Sequence, residues 1–174
     1  MNPKIVIIII VILIIILAII YFLAIIAHNI KKSWEESLKN ELNKNNIEYN
    51  LQKSASNIYD IDLKIKNQLY LIKFLNVPNY SEIQINNKTT WEIKYGAGNI
   101  PGKVQPHKRY ANIASFMNLE CRNNEIKVVI IIPDAKKITK YINECEIVFV
   151  NHQTNVYGTK VINQNDFKLF LEEN

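Results

Sequence analysis

The sequence predicts an α/β domain that is preceded by a single transmembrane helix, and three observations predict it. Residues 5–27 form an unbroken apolar run without a charged side chain. From Ile47 onward the spacing of apolar residues changes from about four to two, which is the change from helical to strand periodicity. Strand-like and helix-like segments then follow one another to the C-terminus. This order is typical of one domain in which helices cover a mixed sheet.

The apolar run has the length of a membrane span. Its 23 residues would make a helix of about 35 Å, and the hydrocarbon core of a bilayer is about 30 Å thick. The run is longer than the apolar region of a signal peptide, and Ala24 and Ala27 do not form the small-residue cleavage pattern. We therefore expect a retained anchor in the cell membrane, with the lipid bilayer as a permanent partner.

The orientation of this anchor can be predicted from the lysines beside it. Lys4 is the one basic side chain before the run, and four lysines follow it closely: Lys31, Lys32, Lys39 and Lys44. Basic residues near a span favour the cytoplasmic side. The C-terminal part of the chain is therefore predicted to lie in the cytoplasm.

The segment 28–46 is predicted to be a juxtamembrane amphipathic helix. Apolar side chains recur in it at four-residue spacing, at Ile30, Trp34, Leu38 and Leu42, and Lys and Glu fill many of the other positions. Trp34 could lie at the lipid headgroups or pack on the chain's own domain, and both interpretations stay open. Asparagines end the helix, so residues 47–174 are predicted to form the soluble domain.

Within this domain the clearest prediction is a hairpin. The segment 58–65 alternates apolar and polar residues, Asn67 and Gln68 make a turn, and the apolar segment 69–75 returns as a second strand. Further strands are predicted at 82–86, 90–95, 127–132 and 146–150. Helices are predicted at 106–119, 135–143 and 165–173, and a loop at 96–105.

Composition bounds the function only loosely. The formal net charge is +5, which favours nucleic acid or anionic lipid as a partner. The chain is also rich in Ile, Asn and Lys, with only 4 glycines, a bias typical of adenine- and thymine-rich coding that weakens the charge argument. Cys121 and Cys145 are isolated, which argues against a disulfide framework or a zinc site.

Lys73 is the most unusual residue of the domain, because it lies in a strand that is apolar on both faces. An ammonium group is costly to bury unless it is paired. Asp60 and Asp62 lie on the preceding strand, within reach across the hairpin. In a metal-dependent phosphodiesterase, a carboxylate such as that of Asp62 holds a divalent cation, for example Mg²⁺, and a lysine activates water. A lysine reaching solvent beside two hydrated aspartates is the alternative.

The predicted order is a helix, an Asp-bearing strand, a Lys-bearing strand, more strands, and then a helix and a buried strand. This order resembles the restriction-endonuclease-like fold, and most nearly its nuclease-related domain (NERD). The resemblance covers residues 47–133. It implies catalytic roles for Asp60, Asp62 and Lys73 and a metal bound by Asp62. Leu71 occupies the position at which the family carries a second carboxylate or a Gln, so the resemblance implies a degenerate or rebuilt site. A separate Glu-x-Lys triplet occurs at residues 92–94.

A second candidate region is the basic segment 88–110, which holds three of the four glycines and several interleaved aromatic residues. Its glycine spacing fits neither a P-loop nor a dinucleotide-binding loop. Four of its basic residues are predicted to contact nucleic acid: Lys94, Lys103, Lys108 and Arg109. The start of the predicted helix at residue 106 would add affinity for anions. A solvated turn with its aromatics in the core is the alternative.

The sequence thus predicts a membrane-anchored nuclease-related protein that binds DNA or RNA, with lost or weak phosphodiesterase activity. Whether it is an enzyme stays open. The alternative is a non-enzymatic, membrane-anchored interaction domain that binds a protein or anionic lipid.

Overall fold

A computed structural model describes residues 3–44, 47–95, 107–110, 112–143 and 145–172. The chain divides into two compact units, Met1–Glu41 and Leu42–Asn174.

The first unit consists of most of one long helix, α1, at Pro3–Lys44. The predicted apolar run and the predicted amphipathic segment are therefore one continuous helix up to Lys44. The stretch Lys4–Phe22 has a mean hydropathy of 3.8, and α1 is the one helix in the described residues that is long and apolar enough to cross a membrane. Farther along, the Lys32 ammonium lies 3.9 Å from the Glu36 carboxylate, one turn away. This pairing is typical of a solvated helix surface.

The second unit is a mixed α/β domain, as predicted. In chain order its strands are β1 (Tyr49–Lys53), β2 (Ile61–Ile65), β3 (Gln68–Asn76), β4 (Glu82–Ile85), β5 (Trp91–Lys94), β6 (His107–Arg109), β7 (Glu125–Ile132), β8 (Lys137–Tyr141), β9 (Ile147–Phe149), β10 (Asn155–Val156) and β11 (Thr159–Asn163). Two short helices are α2 (Ile113–Asn118) and α3 (Phe167–Glu172), the latter preceded by a 3₁₀ turn at Gln164–Asp166.

The strands form two mixed sheets. The larger sheet has the order β1-β2-β3-β7-β11-β10, and the smaller one has the order β6-β5-β4-β8-β9. In the larger sheet β2 and β3 are antiparallel, whereas β3, β7 and β11 run parallel. In the smaller sheet β4 and β8 are parallel and the other pairs are antiparallel.

One hydrophobic core joins the two sheets and α2. Leu71, Val129 and Val161 of the larger sheet belong to the same buried cluster as Ile83 and Ile138 of the smaller one. The opposite face of the larger sheet is also covered, since the ring centroids of Tyr70 and Phe170 of α3 lie 5.9 Å apart. Burial on both faces explains why β3 and β7 read as nearly continuous apolar runs.

The hairpin prediction is confirmed, as are the strands predicted near 82–86, 90–95, 127–132 and 146–150 and the C-terminal helix. Two helix predictions are wrong. Residues 135–143 contain β8, because Ile138 pairs with Ile83 of a strand more than fifty residues earlier. The helix predicted at 106–119 begins only at Ile113, because His107–Arg109 pairs with β5 as a strand. β1, β10 and β11 were not predicted.

Candidate functional site

The hairpin of β2 and β3 places the predicted catalytic residues on one face of the larger sheet. Asp62 lies opposite Leu71, and continuing the same register places Asp60 opposite Lys73. Residues directly opposite each other on antiparallel strands point to the same face. In the next strand, β7, Lys127 lies beside Leu71 and Val129 lies beside Lys73. The sequence therefore brings two carboxylates and two lysines to one face.

Lys73 is buried, with 9% of its surface exposed. Its Nζ donates a hydrogen bond of 2.5 Å to the Ile58 carbonyl oxygen and lies 5.9 Å from the centroid of the Phe116 ring. A buried ammonium needs polar partners and gains from an aromatic face. Lys73 thus fastens the segment before β2 to the sheet and packs under α2.

The two aspartates have different surroundings. The Asp60 Oδ2 atom accepts a hydrogen bond of 2.8 Å from the Phe74 backbone N–H, and the Asp60 N–H donates to the Ile72 carbonyl at 2.8 Å. Asp60 therefore continues the pairing of β2 with β3 beyond the last ladder pair. The Asp62 Oδ1 atom is buried and has no hydrogen-bond partner. A buried oxygen without a partner is costly and requires an explanation.

Two tyrosines lie beside these carboxylates. Burial is the main cause of the raised pKa of the Tyr59 hydroxyl. A hydrogen bond with Ser54 lowers this pKa, and the Asp62 carboxylate raises it further. Burial is also the main cause of the raised pKa of Tyr110, with the Asp60 carboxylate adding to it. Both hydroxyls therefore stay protonated at neutral pH and can donate hydrogen bonds toward the acidic side of the cluster.

Lys127 was not predicted as a site residue, yet it is the second buried lysine on this face, 6% exposed. Its Nζ donates to the carbonyl oxygens of Met117 and Leu119, at 2.8 Å each. Burial is the main cause of the lowered pKa of the Lys127 ammonium group. The nearby Cys121 raises this pKa, and Lys88 lowers it further. Lys127 therefore holds the C-terminal end of α2, where orphan carbonyls favour a cation.

These residues form what we call the polar cluster: Tyr59, Asp60, Asp62, Lys73, Tyr110 and Lys127. Helix α2 lies over it, because Phe116 is fully buried and its ring centroid is 6.3 Å from that of Tyr59. Both lysines of the cluster donate to backbone carbonyls of neighbouring segments. The lysines therefore hold local structure as well as lying near carboxylates.

The polar cluster offers two carboxylates, those of Asp60 and Asp62, to a cation such as Mg²⁺. Among the described residues there is no group of three His, Cys, Asp or Glu side chains that could hold a metal ion. Mg²⁺ prefers six oxygen ligands in octahedral geometry. The apolar Leu71 lies opposite Asp62, where the resemblance requires a polar ligand. We therefore derive no catalytic step through a metal, and the role of Asp62 in binding Mg²⁺ stays a prediction.

The basic segment belongs to the smaller sheet. Lys108 and Arg109 lie exposed on the edge strand β6, and Lys94 lies on β5. Arg109 lies opposite Glu92 and donates to the Thr90 hydroxyl at 3.2 Å, and Lys94 lies opposite Glu82. Arg109 and Lys94 thus each lie opposite an acidic residue of the neighbouring strand. Lys108 lies opposite the apolar Ile93.

Three further predictions concern the basic segment: its glycine-rich loop with Lys103, the helix start at residue 106 and the Glu-x-Lys triplet at residues 92–94. Lys103 and the glycine-rich loop lie outside the described residues. Residue 106, where the helix start with affinity for anions was predicted, lies outside the described residues, and the residues after it, His107–Arg109, form β6 and not a helix. The triplet at residues 92–94 lies on β5 of the smaller sheet, whereas Lys73 lies on β3 of the larger one.

The tyrosines of the cluster and Lys127 were missed as site residues by the sequence analysis. A charge just before a long apolar run, as in Glu125–Ile132, was the available signal for Lys127. No protein-family model, curated protein or solved structure matches this chain. Function is therefore argued from the geometry of the polar cluster and of the basic segment.

Proposed function

We propose that this chain is a single-pass, membrane-anchored nuclease-related domain of restriction-endonuclease-like architecture that binds DNA or RNA and has lost most of its phosphodiesterase activity. The domain lies on the cytoplasmic side, where the lysines that follow the apolar run favour it. Nucleic acid is available there.

The observation that carries the proposal is the pairing of β2 with β3. It sets Asp60 opposite Lys73 and Asp62 opposite Leu71 on one buried face. An Asp and a Lys on adjacent strands are the arrangement that the resemblance requires, and Leu71 removes a ligand from it. Loss of a carboxylate weakens metal binding and with it the generation of a nucleophilic hydroxide.

The hydrogen bonds of the cluster support a structural use of the remaining residues. Lys73 donates to the Ile58 carbonyl and Asp60 accepts from the Phe74 N–H. These bonds to backbone shape the hairpin, so both residues stabilise the fold in addition to any role at the site.

Binding is proposed to run through the basic segment. Lys94, Lys108 and Arg109 lie on β5 and the edge strand β6, and Lys103 belongs to the connection between them. Lysine and arginine side chains contact phosphates irrespective of sequence, and their contribution falls with salt. We therefore expect binding without sequence preference and no base-specific readout.

The full chain reconstituted in nanodiscs tests this proposal. Labelled duplex and single-stranded oligonucleotides are titrated at several salt concentrations, and their integrity is checked on a denaturing gel after incubation with Mg²⁺ or Mn²⁺. Salt-sensitive binding with intact strands is the expected result. Absence of binding at low salt would contradict it.

A second candidate function is a non-enzymatic interaction domain that uses the same segment to bind a protein or anionic lipid. The acidic neighbours favour it, since Glu92 lies opposite Arg109 and Glu82 lies opposite Lys94. A surface of mixed charge suits a protein better than a polyanion. Co-purification of a protein in place of nucleic acid would favour this candidate.

A further inference from the structure

The hairpin of β8 and β9 exposes apolar side chains that the proposed function leaves unexplained. Outside α1, six large hydrophobic residues among those described are exposed, and three of them lie in this hairpin: Ile142 at 55%, Ile147 at 47% and Phe149 at 68%. Ile147 and Phe149 are two residues apart on β9 and share a face, and we call these two residues the hairpin patch. Ile142 lies beside the turn, opposite Glu146, on the other face. Single exposed apolar residues are ordinary, whereas a cluster marks an interaction surface.

Lysines accompany the hairpin patch. The Nζ of Lys137 lies 5.0 Å from the centroid of the Phe149 ring, and the Nζ of Lys140 lies 4.4 Å from that of Tyr157. Lys136 is exposed just before β8. The turn carries two acids in the sequence: Glu146 is exposed and accepts a hydrogen bond from the Asn143 side chain at 3.3 Å, and Glu144 lies outside the described residues. Apolar side chains flanked by lysines suit the boundary between acyl chains and anionic headgroups.

We propose that the hairpin patch docks on the surface of an anionic bilayer. This inference rests on the membrane anchor of the proposed function and is independent of nucleic-acid binding. A patch that would bind lipid only weakly in free solution gains from covalent attachment to an anchored helix, because attachment raises the effective concentration of the bilayer. The lysines complement the negative surface of the cytoplasmic leaflet.

A protein partner is the competing occupant, because β9 is an edge strand with one neighbour, β8. Edge strands can pair with a strand of another chain. However, β9 has only 3 residues, and strands of about five or six residues are usual in sheets. Short length disfavours pairing through backbone hydrogen bonds, and side-chain insertion into lipid has no such requirement.

The native cysteines provide the test. Cys145 lies within the hairpin and Cys121 lies after α2, and both are exposed and free. Full-length C121S protein labelled at Cys145 with a polarity-sensitive fluorophore is reconstituted into phosphatidylcholine vesicles with or without one third phosphatidylglycerol. C145S protein labelled at Cys121 is the matched control. Flotation confirms anchoring separately, so failure of the anchor is distinguished from failure of docking.

We expect a blue shift and quenching by brominated lipid at Cys145 in the anionic vesicles, and neither effect at Cys121. Phe149→Ser with Ile147→Ser should reduce quenching at Cys145 to the level of Cys121. Leu169→Ser, which changes an exposed leucine of α3, should leave it unchanged. Circular dichroism confirms that each variant is folded.

Three results would overturn the inference. Equal emission at Cys145 in both kinds of vesicle, with no quenching, would mean that the hairpin does not touch lipid. Unchanged quenching in the folded double variant would remove the hairpin patch from the contact. A shift at Cys145 that grows with the ratio of protein to lipid would identify a second copy of the chain as the occupant.

Discussion

Replacing Lys127 by Met should destabilise the domain, and the structure allows the size of the effect to be worked out. Lys127 is 6% exposed and donates to the carbonyls of Met117 and Leu119 at 2.8 Å each. Leaving a buried acceptor without a partner costs about 1–3 kcal/mol. The Met117 carbonyl lies at a buried site and the Leu119 carbonyl at a half-buried one, so together they cost about 2–4 kcal/mol. Met keeps the volume of the aliphatic stem.

An opposing effect reduces this loss. Removing a buried ammonium also removes its desolvation penalty, which is several kcal/mol for a charge in a protein interior. Burial lowers the pKa of Lys127, which shows that the penalty is not fully offset. We expect the carbonyls to dominate, with a net loss of about 2 kcal/mol, or about 8 °C in the unfolding midpoint for a domain of this size.

The pH dependence gives a second, signed result. Because the folded pKa of Lys127 lies below its unfolded value, the unfolded chain binds the extra proton between those two pKa values. Stability contributed by this group is therefore lowest at neutral pH and rises as the pH increases from the folded pKa to the unfolded one. The gap between wild type and Lys127→Met should widen across that alkaline interval. Comparing the two proteins cancels the opposite slopes of Tyr59 and Tyr110, whose pKa values are raised. Because Lys127 lowers the pKa of Cys121, both proteins carry Cys121→Ser in this comparison.

The assay is thermal unfolding of the full chain in nanodiscs, followed by the fluorescence of Trp91, which is fully buried in the core. Lys160→Met is the matched control, since the Lys160 Nζ donates to one carbonyl, that of Gln153, at an exposed site. That variant should leave the midpoint unchanged. A midpoint of Lys127→Met at or above wild type at neutral pH, or a gap that narrows with rising pH, would refute the reasoning.

Three further predictions concern the nucleic-acid interface, the acidic residues and the anchor. The triple variant K103A/K108A/R109A should bind all oligonucleotides more weakly, and the slope of log K against log salt, measured by anisotropy, should fall in magnitude by about 2–3. The control K53A/K64A/K66A removes equal charge at the larger sheet and should change neither quantity. An unchanged slope in K103A/K108A/R109A would mean that the interface lies elsewhere. Asp62→Ala should leave binding intact in the same titration, since Asp62 is acidic and would repel a phosphate, and a tenfold loss would give it a direct or fold-wide role. Protease added to intact spheroplasts should leave the C-terminal domain undigested, and digestion without lysis would reverse the orientation.

The elements that the sequence predicted correctly are those specified by local pattern. The alternation of 58–65 and the turn at Asn67 define the β2 and β3 hairpin within about twenty residues. Ile138, Tyr141 and Ile142 have helical spacing, which favoured a helix at 135–143, and that prediction is wrong. Pairing of β8 with β4, more than fifty residues away, overrides that local preference.

The candidate site shows the same limit. Lys73 could be identified because its charge interrupts an apolar strand. Asp60 and Asp62 could be identified because they lie on the preceding strand of the same hairpin. Lys127 is a charge at the start of an apolar run, which is a weak signal, and its burial becomes visible only when β7 is known to lie beside β3 and beneath α2. Contacts across strands distant in sequence do not follow from periodicity.

The central claim is that the domain binds nucleic acid electrostatically without cutting it. The most direct test incubates the full chain in neutral nanodiscs with labelled duplex DNA and single-stranded RNA in Mg²⁺ and in Mn²⁺, and measures anisotropy and strand integrity in the same samples. We expect binding that weakens steeply with salt while every strand stays intact. Cleavage that disappears in Asp62→Ala, or no binding at low salt, would contradict it.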